Sequence, residues 1–191
     1  MRIISGNFKG KKILQPKDKS TRPLKDLAKE SIFNIINHSN LFDINIEKST
    51  VLDLFSGVGS FGLECVSRGA SLVTFIENYP DAVSILKENI INFKCKKETK
   101  VIEKDIFKID KFDFLEKKFD IIFIDPPYKE KSLANLLALV IKSNILKNNS
   151  IIIIHRHKKE EDNFPKNFKI LKENKYGISK IIFGKKIKKI N

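Results

Sequence analysis

The tetrapeptide Asp125-Pro126-Pro127-Tyr128 combines an acid, two prolines and an aromatic ring. It closes the run Phe119-Asp120-Ile121-Ile122-Phe123-Ile124, whose apolar, β-branched and aromatic content reads as a buried parallel strand. Both prolines lack an N–H and fix φ, so the loop is rigid and its carbonyls point in set directions. A loop at the carboxyl end of a parallel strand lies where open α/β sheets bind ligands. Asp125 offers a carboxylate, the prolines offer a carbonyl, and Tyr128 offers a flat ring. That set suits a planar base carrying an exocyclic amino group. The ordinary alternative is a solvated turn, which does not require these four residue types together.

A second constellation is Asp53-Leu54-Phe55-Ser56-Gly57-Val58-Gly59-Ser60-Phe61-Gly62, at a strand-to-helix junction. Gly57, Gly59 and Gly62 satisfy G-x-G-x-x-G, which alone is weak and occurs in nicotinamide-dependent oxidoreductases. There the glycines let a pyrophosphate approach the helix N-terminus. Asp53 stands in the strand itself, and an acid so placed suits a ligand with a cationic amino group and no phosphate. Glu77, ending the next strand, is where a ribose-binding carboxylate belongs. Asp105, after the third strand, is placed to meet an adenine amino group. Each acid also has a plainer reading as a cap or turn residue.

These loops need a sheet to align them, and the hydrophobic pattern supplies one. Strands are expected over 51–55, 72–76, 100–102, 119–124 and 150–155. Helices are expected over 61–68, 81–93 and 132–143, and at most a short one over 113–117. The alternation predicts a doubly wound, mostly parallel α/β sheet with helices on both faces. Residues 168–172 and 178–183 read as two further strands joined through Tyr176-Gly177 with no helix between them, so the last strand runs antiparallel. The sheet is therefore seven-stranded.

Ahead of the sheet, Arg2-Ile3-Ile4 and Lys12-Ile13-Leu14 flank the turn-rich Gly6-Asn7-Phe8-Lys9-Gly10 as a hairpin exposing Arg2, Lys9, Lys11 and Lys12. A polar loop over 15–23 contains Arg22. A helix over 24–36 follows, with Leu27, Ile32, Phe33, Ile35 and Ile36 as its apolar stripe and Lys29 outside it. Residues 1–23 are thus expected to form a basic appendage, and 24–191 the main domain.

The chain has 191 residues and a formal net charge of +14, which points to a polyanionic partner. Abundant Lys together with Ile and Asn is the competing explanation, a composition typical of AT-rich coding. Hydrophobic content of 41% and charged content of 31% indicate a globular chain. No apolar run reaches the ~18 residues of a membrane span. The start, Met1-Arg2-Ile3-Ile4-Ser5-Gly6, lacks a signal-peptide apolar region, so a cytoplasmic protein is expected. Cys65 and Cys95 are the only cysteines and are expected to be free thiols. His155 and His157 alternate at the end of the fifth strand. With no third ligand in view they are expected to be structural or nucleic-acid contacts, and no metal is expected.

Together, Asp53 to Gly62, Glu77 and Asp125-Pro126-Pro127-Tyr128 resemble a class I S-adenosylmethionine-dependent, amino-methylating methyltransferase. More narrowly, the chain resembles the bacterial 16S ribosomal RNA guanine-N2 methyltransferases of the RsmD type, nearly end to end. Arg2-Ile3-Ile4-Ser5-Gly6 with Phe8-Lys9-Gly10, Thr21-Arg22-Pro23 and Lys29-Glu30-Ser31-Ile32-Phe33-Asn34 carry the narrower match. Ser67-Arg68-Gly69-Ala70 and Tyr176-Gly177 agree as well. Leu24 departs where relatives often have Thr, and His155-Arg156-His157 where acidic residues are common.

The resemblance implies S-adenosylmethionine as donor and S-adenosylhomocysteine as product. It implies a cofactor site of Asp53, Phe55, Ser56, Gly57, Gly59, Gly62, Glu77, Asp105 and Ile106. It also implies 16S rRNA in a partly or fully assembled small subunit as substrate, held by the hairpin and the loop around Arg22. A monomer is expected, because no apolar surface stripe calls for a partner. An adenine-N6 methyltransferase would share the tetrapeptide and is the alternative. A nicotinamide oxidoreductase leaves Asp53 and Asp125-Pro126-Pro127-Tyr128 unexplained. A non-catalytic RNA-binding module is disfavoured by the intact Asp125 and glycine turn.

Overall fold

A computed structural model describes residues 1–16, 26–127 and 132–187. Its centre is a seven-stranded sheet built from β1 (Thr50–Leu54), β2 (Leu72–Glu77), β3 (Thr99–Glu103), β4 (Phe119–Ile124), β5 (Leu146–His157), β6 (Phe168–Tyr176) and β7 (Ser179–Lys186). The order across the sheet is β3-β2-β1-β4-β5-β7-β6. The first five strands pair parallel, and β7 pairs antiparallel with both β5 and β6. The chain reverses direction between β3, at one edge, and β4, beside β1. That reversal is the switch point where such sheets open a ligand crevice.

Among the described residues four α-helices pack on the sheet: α1 (Asp26–His38), α2 (Ser60–Ser67), α3 (Pro80–Asn92) and α4 (Leu133–Lys142). Alternation along the strands sorts their side chains into two cores. Val51, Phe123, Ile151, Ile153, Ile181 and Phe183 face α1, α2 and α3. Leu52, Leu54, Ile122, Ile124, Ile152, Ile154 and Ile182 face α4. Phe61 stacks on Phe33 at 5.3 Å and on Phe123 at 4.0 Å between ring centroids, tying α1 and α2 to β4.

The N-terminal hairpin is shorter than two full strands. It is an antiparallel bridge between Arg2 and Lys12, reinforced by the Ile3 N–H donating to the Lys11 carbonyl at 2.9 Å. Glu64 of α2 fastens it down. Its carboxylate accepts the Ile4 and Ser5 N–H groups at 2.7 and 3.0 Å and the Arg68 Nε–H at 2.8 Å. Lys29 Nζ lies 3.5 Å from Glu64 and donates to the Arg2 carbonyl at 2.6 Å. Lys29 is therefore fully buried, and Leu27, expected in the apolar stripe of α1, is 65% exposed. The helix is rotated so that this lysine completes a polar clamp.

Element boundaries follow the expected pattern within a few residues, except that β5 begins at Leu146 and β6 runs to Tyr176. The segment 113–117 holds a turn at 113–114 and a bend at 117, not a helix. Cys65 and Cys95 are buried free thiols, and burial pushes both up, Cys95 to about 11. Among the described residues, no helix is long and apolar enough to cross a membrane.

Candidate active site

Because β1 to β4 pair parallel, their carboxyl ends share one edge of the sheet. Asp53, Glu77, Asp105 and Asp125 all stand at that edge. Asp53 lies in the body of β1, in register with Phe75 of β2 and Phe123 of β4. It is 1% exposed, and its Oδ2 accepts the Gly62 N–H at 3.0 Å, so the acid is aimed at the start of α2. Burial pushes its carboxyl well above the usual carboxylate range. The Gly62 N–H pulls it back, and the nearby Asp125 and Glu77 push it further up. Gly62 permits this closeness, since a Cβ there would collide with the Phe75 ring.

Between β1 and α2 the backbone turns sharply. Phe55 has φ 60, a left-handed conformation that costs a non-glycine residue roughly 1 kcal/mol and is typical of functional turns. The Ser56 N–H donates to the Ile76 carbonyl at 3.2 Å, and the Gly59 N–H to the Ser56 carbonyl at 2.8 Å. Gly57, at φ +54, has open space where a Cβ would stand. Its N–H donates to Glu77 Oε2 at 2.7 Å, while Glu77 Oε1 accepts the Asn78 and Tyr79 N–H groups at 2.9 and 3.0 Å. Glu77 is thus held between the glycine turn and the start of α3.

Asp105 caps the 3-10 turn over Ile106–Lys108, accepting the Phe107 N–H at 3.0 Å, and its other oxygen is 3.7 Å from Lys108 Nζ. Ile106 is buried beneath it, and the Phe55 and Phe107 rings meet at 5.0 Å across the crevice edge.

Asp125 continues β4 by one residue, its N–H donating to the Leu54 carbonyl at 3.3 Å. Its Oδ1 is 2.8 Å from His155 Nδ1, and His155 Nε2 is 2.9 Å from Ser179 Oγ. Arg156 Nη1 donates to the Pro127 carbonyl at 3.2 Å. Sequence reasoning did not assign His155, Arg156 and Ser179 to this site. The signal was present in the register: Ile124 pairs with Ile154, so Asp125 and His155 are the next residues on adjacent strands.

The fold brings together Asp53, Phe55, Ser56, Gly57, Gly59, Gly62, Glu77, Asp105, Ile106, Asp125, Pro126 and Pro127. Arg2, Lys9, Lys11 and Lys12 are exposed on the hairpin. Arg2 Nε is 3.6 Å from Asp26, and Lys11 Nζ sits 5.1 Å above the Phe8 ring. Tyr128 and Arg22 lie outside the described residues. Among the described residues no group of His, Cys, Asp and Glu side chains is arranged to hold a metal.

The crevice fits a ligand with a cationic head. Three acids, Asp53, Glu77 and Asp125, border it, and positive charge beside Asp53 would offset the burial and neighbouring negative charges that push its carboxyl up. Ser60 Oγ, at the first turn of α2, is buried and finds no hydrogen-bond partner among the described residues. A buried hydroxyl left in this way is costly unless a ligand or water pairs with it.

Strand order, the antiparallel β7, the glycine turn after β1 and the acid ending β2 together define the class I methyltransferase architecture. A family profile described as conserved hypothetical protein 95 matches residues 1–185. The chain is 32% identical over 183 residues to ribosomal RNA small subunit methyltransferase D of Haemophilus influenzae, covering 93% of this chain and 90% of that one. It is 36% identical over 159 residues to the protein of the same name from Buchnera aphidicola subsp. Baizongia pistaciae, covering 82% and 76%. The crystal structure of a candidate methylase from Haemophilus influenzae superposes with a TM-score of 0.72 at 32% identity, covering 98% of each chain. The chain belongs to the ribosomal RNA small subunit methyltransferase D family.

Proposed function

We propose that this protein transfers a methyl group from S-adenosylmethionine to the exocyclic N2 of a guanine in 16S rRNA of the small ribosomal subunit. It would act in the cytoplasm, on partly or fully assembled subunits. The observation that carries this reading is Asp125, fixed at the end of β4 beside the glycine turn, with Oδ1 2.8 Å from His155 Nδ1 and, among the described residues, no hydrogen bond to Oδ2.

The cofactor site is Asp53, Phe55, Ser56, Gly57, Gly59, Gly62, Glu77, Asp105 and Ile106. Asp53 attracts the cationic amino acid end, Glu77 accepts ribose hydroxyls, and Asp105 with Ile106 borders the adenine. When bound, S-adenosylmethionine supplies an electrophilic methyl on a sulfonium, whose sulfur keeps the bonding electron pair as the methyl departs. The rest falls to the protein. An exocyclic amine is a poor nucleophile because its lone pair is delocalised into the ring. Asp125 Oδ2 and the Pro126 carbonyl accept its two N–H bonds, which favours a pyramidal nitrogen with the lone pair aimed at the methyl. The lone pair forms the new N–C bond, and the proton shed by nitrogen passes to Asp125 and then to water. Tyr128 stacks on the base, which must be unpaired or flipped out to reach the loop. Arg2, Lys9, Lys11, Lys12 and Arg22 hold RNA phosphates.

Asp125→Ala is expected to abolish methyl transfer to undermethylated 30S particles while S-adenosylmethionine binding by calorimetry stays within about threefold. Substantial residual turnover would remove Asp125 from its role.

A further inference from the structure

The loop that carries Asp125 is held from behind by two consecutive residues of β5. The next rung after the Ile124–Ile154 pair sets Asp125 beside His155 on the face that carries Asp53 and α2. His155 is 5% exposed, with Nδ1 2.8 Å from Asp125 Oδ1 and Nε2 2.9 Å from Ser179 Oγ. An ionised carboxylate only accepts, so Nδ1 carries the proton and donates to it, and in the neutral ring Nε2 accepts the Ser179 hydroxyl.

Arg156, one residue on, projects from the opposite face, as alternation requires. It is 1% exposed and donates through Nη1 to the Pro127 carbonyl at 3.2 Å and through Nε to Asp162 Oδ1 at 3.0 Å. Lys180, paired with Arg156 across β5 and β7, lies 3.4 Å from Asp162 Oδ2 and completes the support.

We propose that His155 and Arg156 are positioning residues that clamp the Asp125–Pro127 loop from both faces of β5. By engaging Asp125 Oδ1 and the Pro127 carbonyl, they leave Asp125 Oδ2 and the Pro126 carbonyl as the acceptors presented to the amine. The clamp takes its outer support from β7, through Ser179 on one face and Lys180 on the other. The antiparallel insertion that distinguishes this sheet thus stiffens the catalytic loop. Two consecutive polar residues are buried in an otherwise apolar strand end because each reaches one end of the same loop. The inference rests on the reading of Asp125 as the amine acceptor.

The test compares His155→Leu, His155→Asn, Ser179→Ala and Asp125→Ala. Each is assayed for single-turnover methyl transfer to undermethylated 30S particles, S-adenosylmethionine affinity and thermal midpoint. His155→Leu removes the donor to Asp125 and is expected to slow the transfer step about 10- to 100-fold, the cost of a misplaced reacting group. Its cofactor dissociation constant should stay within about twofold of wild type, because the ring's hydrogen bonds go to Asp125 of the loop and Ser179 of β7. Asparagine can place an amide N–H near the position of Nδ1, so His155→Asn should recover to within about fivefold of wild type. Ser179→Ala, which loosens only the far side of the ring, should slow transfer about 3- to 10-fold with the fold intact.

Wild-type transfer rates in His155→Leu would overturn the proposal. So would a His155→Asn protein as slow as His155→Leu with an equally lowered thermal midpoint, since the histidine would then serve folding alone. Activity in Asp125→Ala would instead remove the acceptor itself, separating failure of the clamp from failure of the underlying reading.

Discussion

Asp53→Asn is expected to make the unliganded protein more stable and the cofactor complex weaker. Asp53 is buried, and its Oδ2 accepts the Gly62 N–H at 3.0 Å. Its carboxyl is pushed well above the usual range by burial, against the Gly62 N–H and with the charges of Asp125 and Glu77 adding to the push. A carboxyl whose native pKa stands above the unfolded value favours folding when protonated and opposes it when ionised, so its ionisation subtracts stability as pH rises through that interval. Asparagine keeps an oxygen for the Gly62 N–H and removes the charge, so the unliganded variant should be more stable than wild type at neutral pH. The same change removes a charge-assisted contact to a cationic ligand, worth about 1.5–3 kcal/mol, or roughly a 10- to 150-fold weaker dissociation constant. Urea denaturation of the unliganded protein and calorimetric titration with S-adenosylmethionine measure the two effects. For the wild type, affinity should also weaken as pH falls and Asp53 takes up a proton. A variant that is less stable and binds S-adenosylmethionine as tightly as wild type would refute the reasoning.

Glu64→Ala should cost about 3–5 kcal/mol, because it leaves Lys29 buried without its carboxylate and frees two hairpin N–H groups. A denaturant midpoint within experimental error of wild type would show that the hairpin is anchored elsewhere. Replacing Lys9, Lys11 and Lys12 with Gln should weaken 16S RNA binding and reduce the slope of log affinity against log salt by up to about 2–3, with S-adenosylmethionine affinity unchanged. An unchanged slope would move the RNA surface away from the hairpin.

Residues whose meaning is local could be read from the sequence. The Phe119–Ile124 run, the prolines after it and the glycines after β1 each dictate a strand end or a tight turn whatever surrounds them. They therefore marked where β1 and β4 end and where the chain turns after β1. Lys29 could not be read this way, because a lysine on a helix is normally solvated. Only the tertiary approach of Glu64 and the Arg2 carbonyl makes its burial tolerable. The start of β5 was hidden for a related reason. Lys147, Asn148 and Asn149 are polar and exposed, yet the pairing of Leu146 with Phe119 extends the strand through them. The placement of β7 between β5 and β6 is a long-range choice that no window of residues records. His155 falls between these cases: its residue type was visible, but its partner lies on another strand and emerges only once the β4–β5 register is set.

The proposed reaction is transfer of a methyl group to guanine N2 through Asp125. The most direct test uses tritiated S-adenosylmethionine with 30S particles and naked 16S RNA from cells lacking this activity, followed by nuclease digestion and nucleoside identification. Label is expected in N2-methylguanosine at one position, and none when the protein carries Asp125→Ala. Label in N6-methyladenosine, or in N2-methylguanosine independently of Asp125, would contradict the proposed reaction.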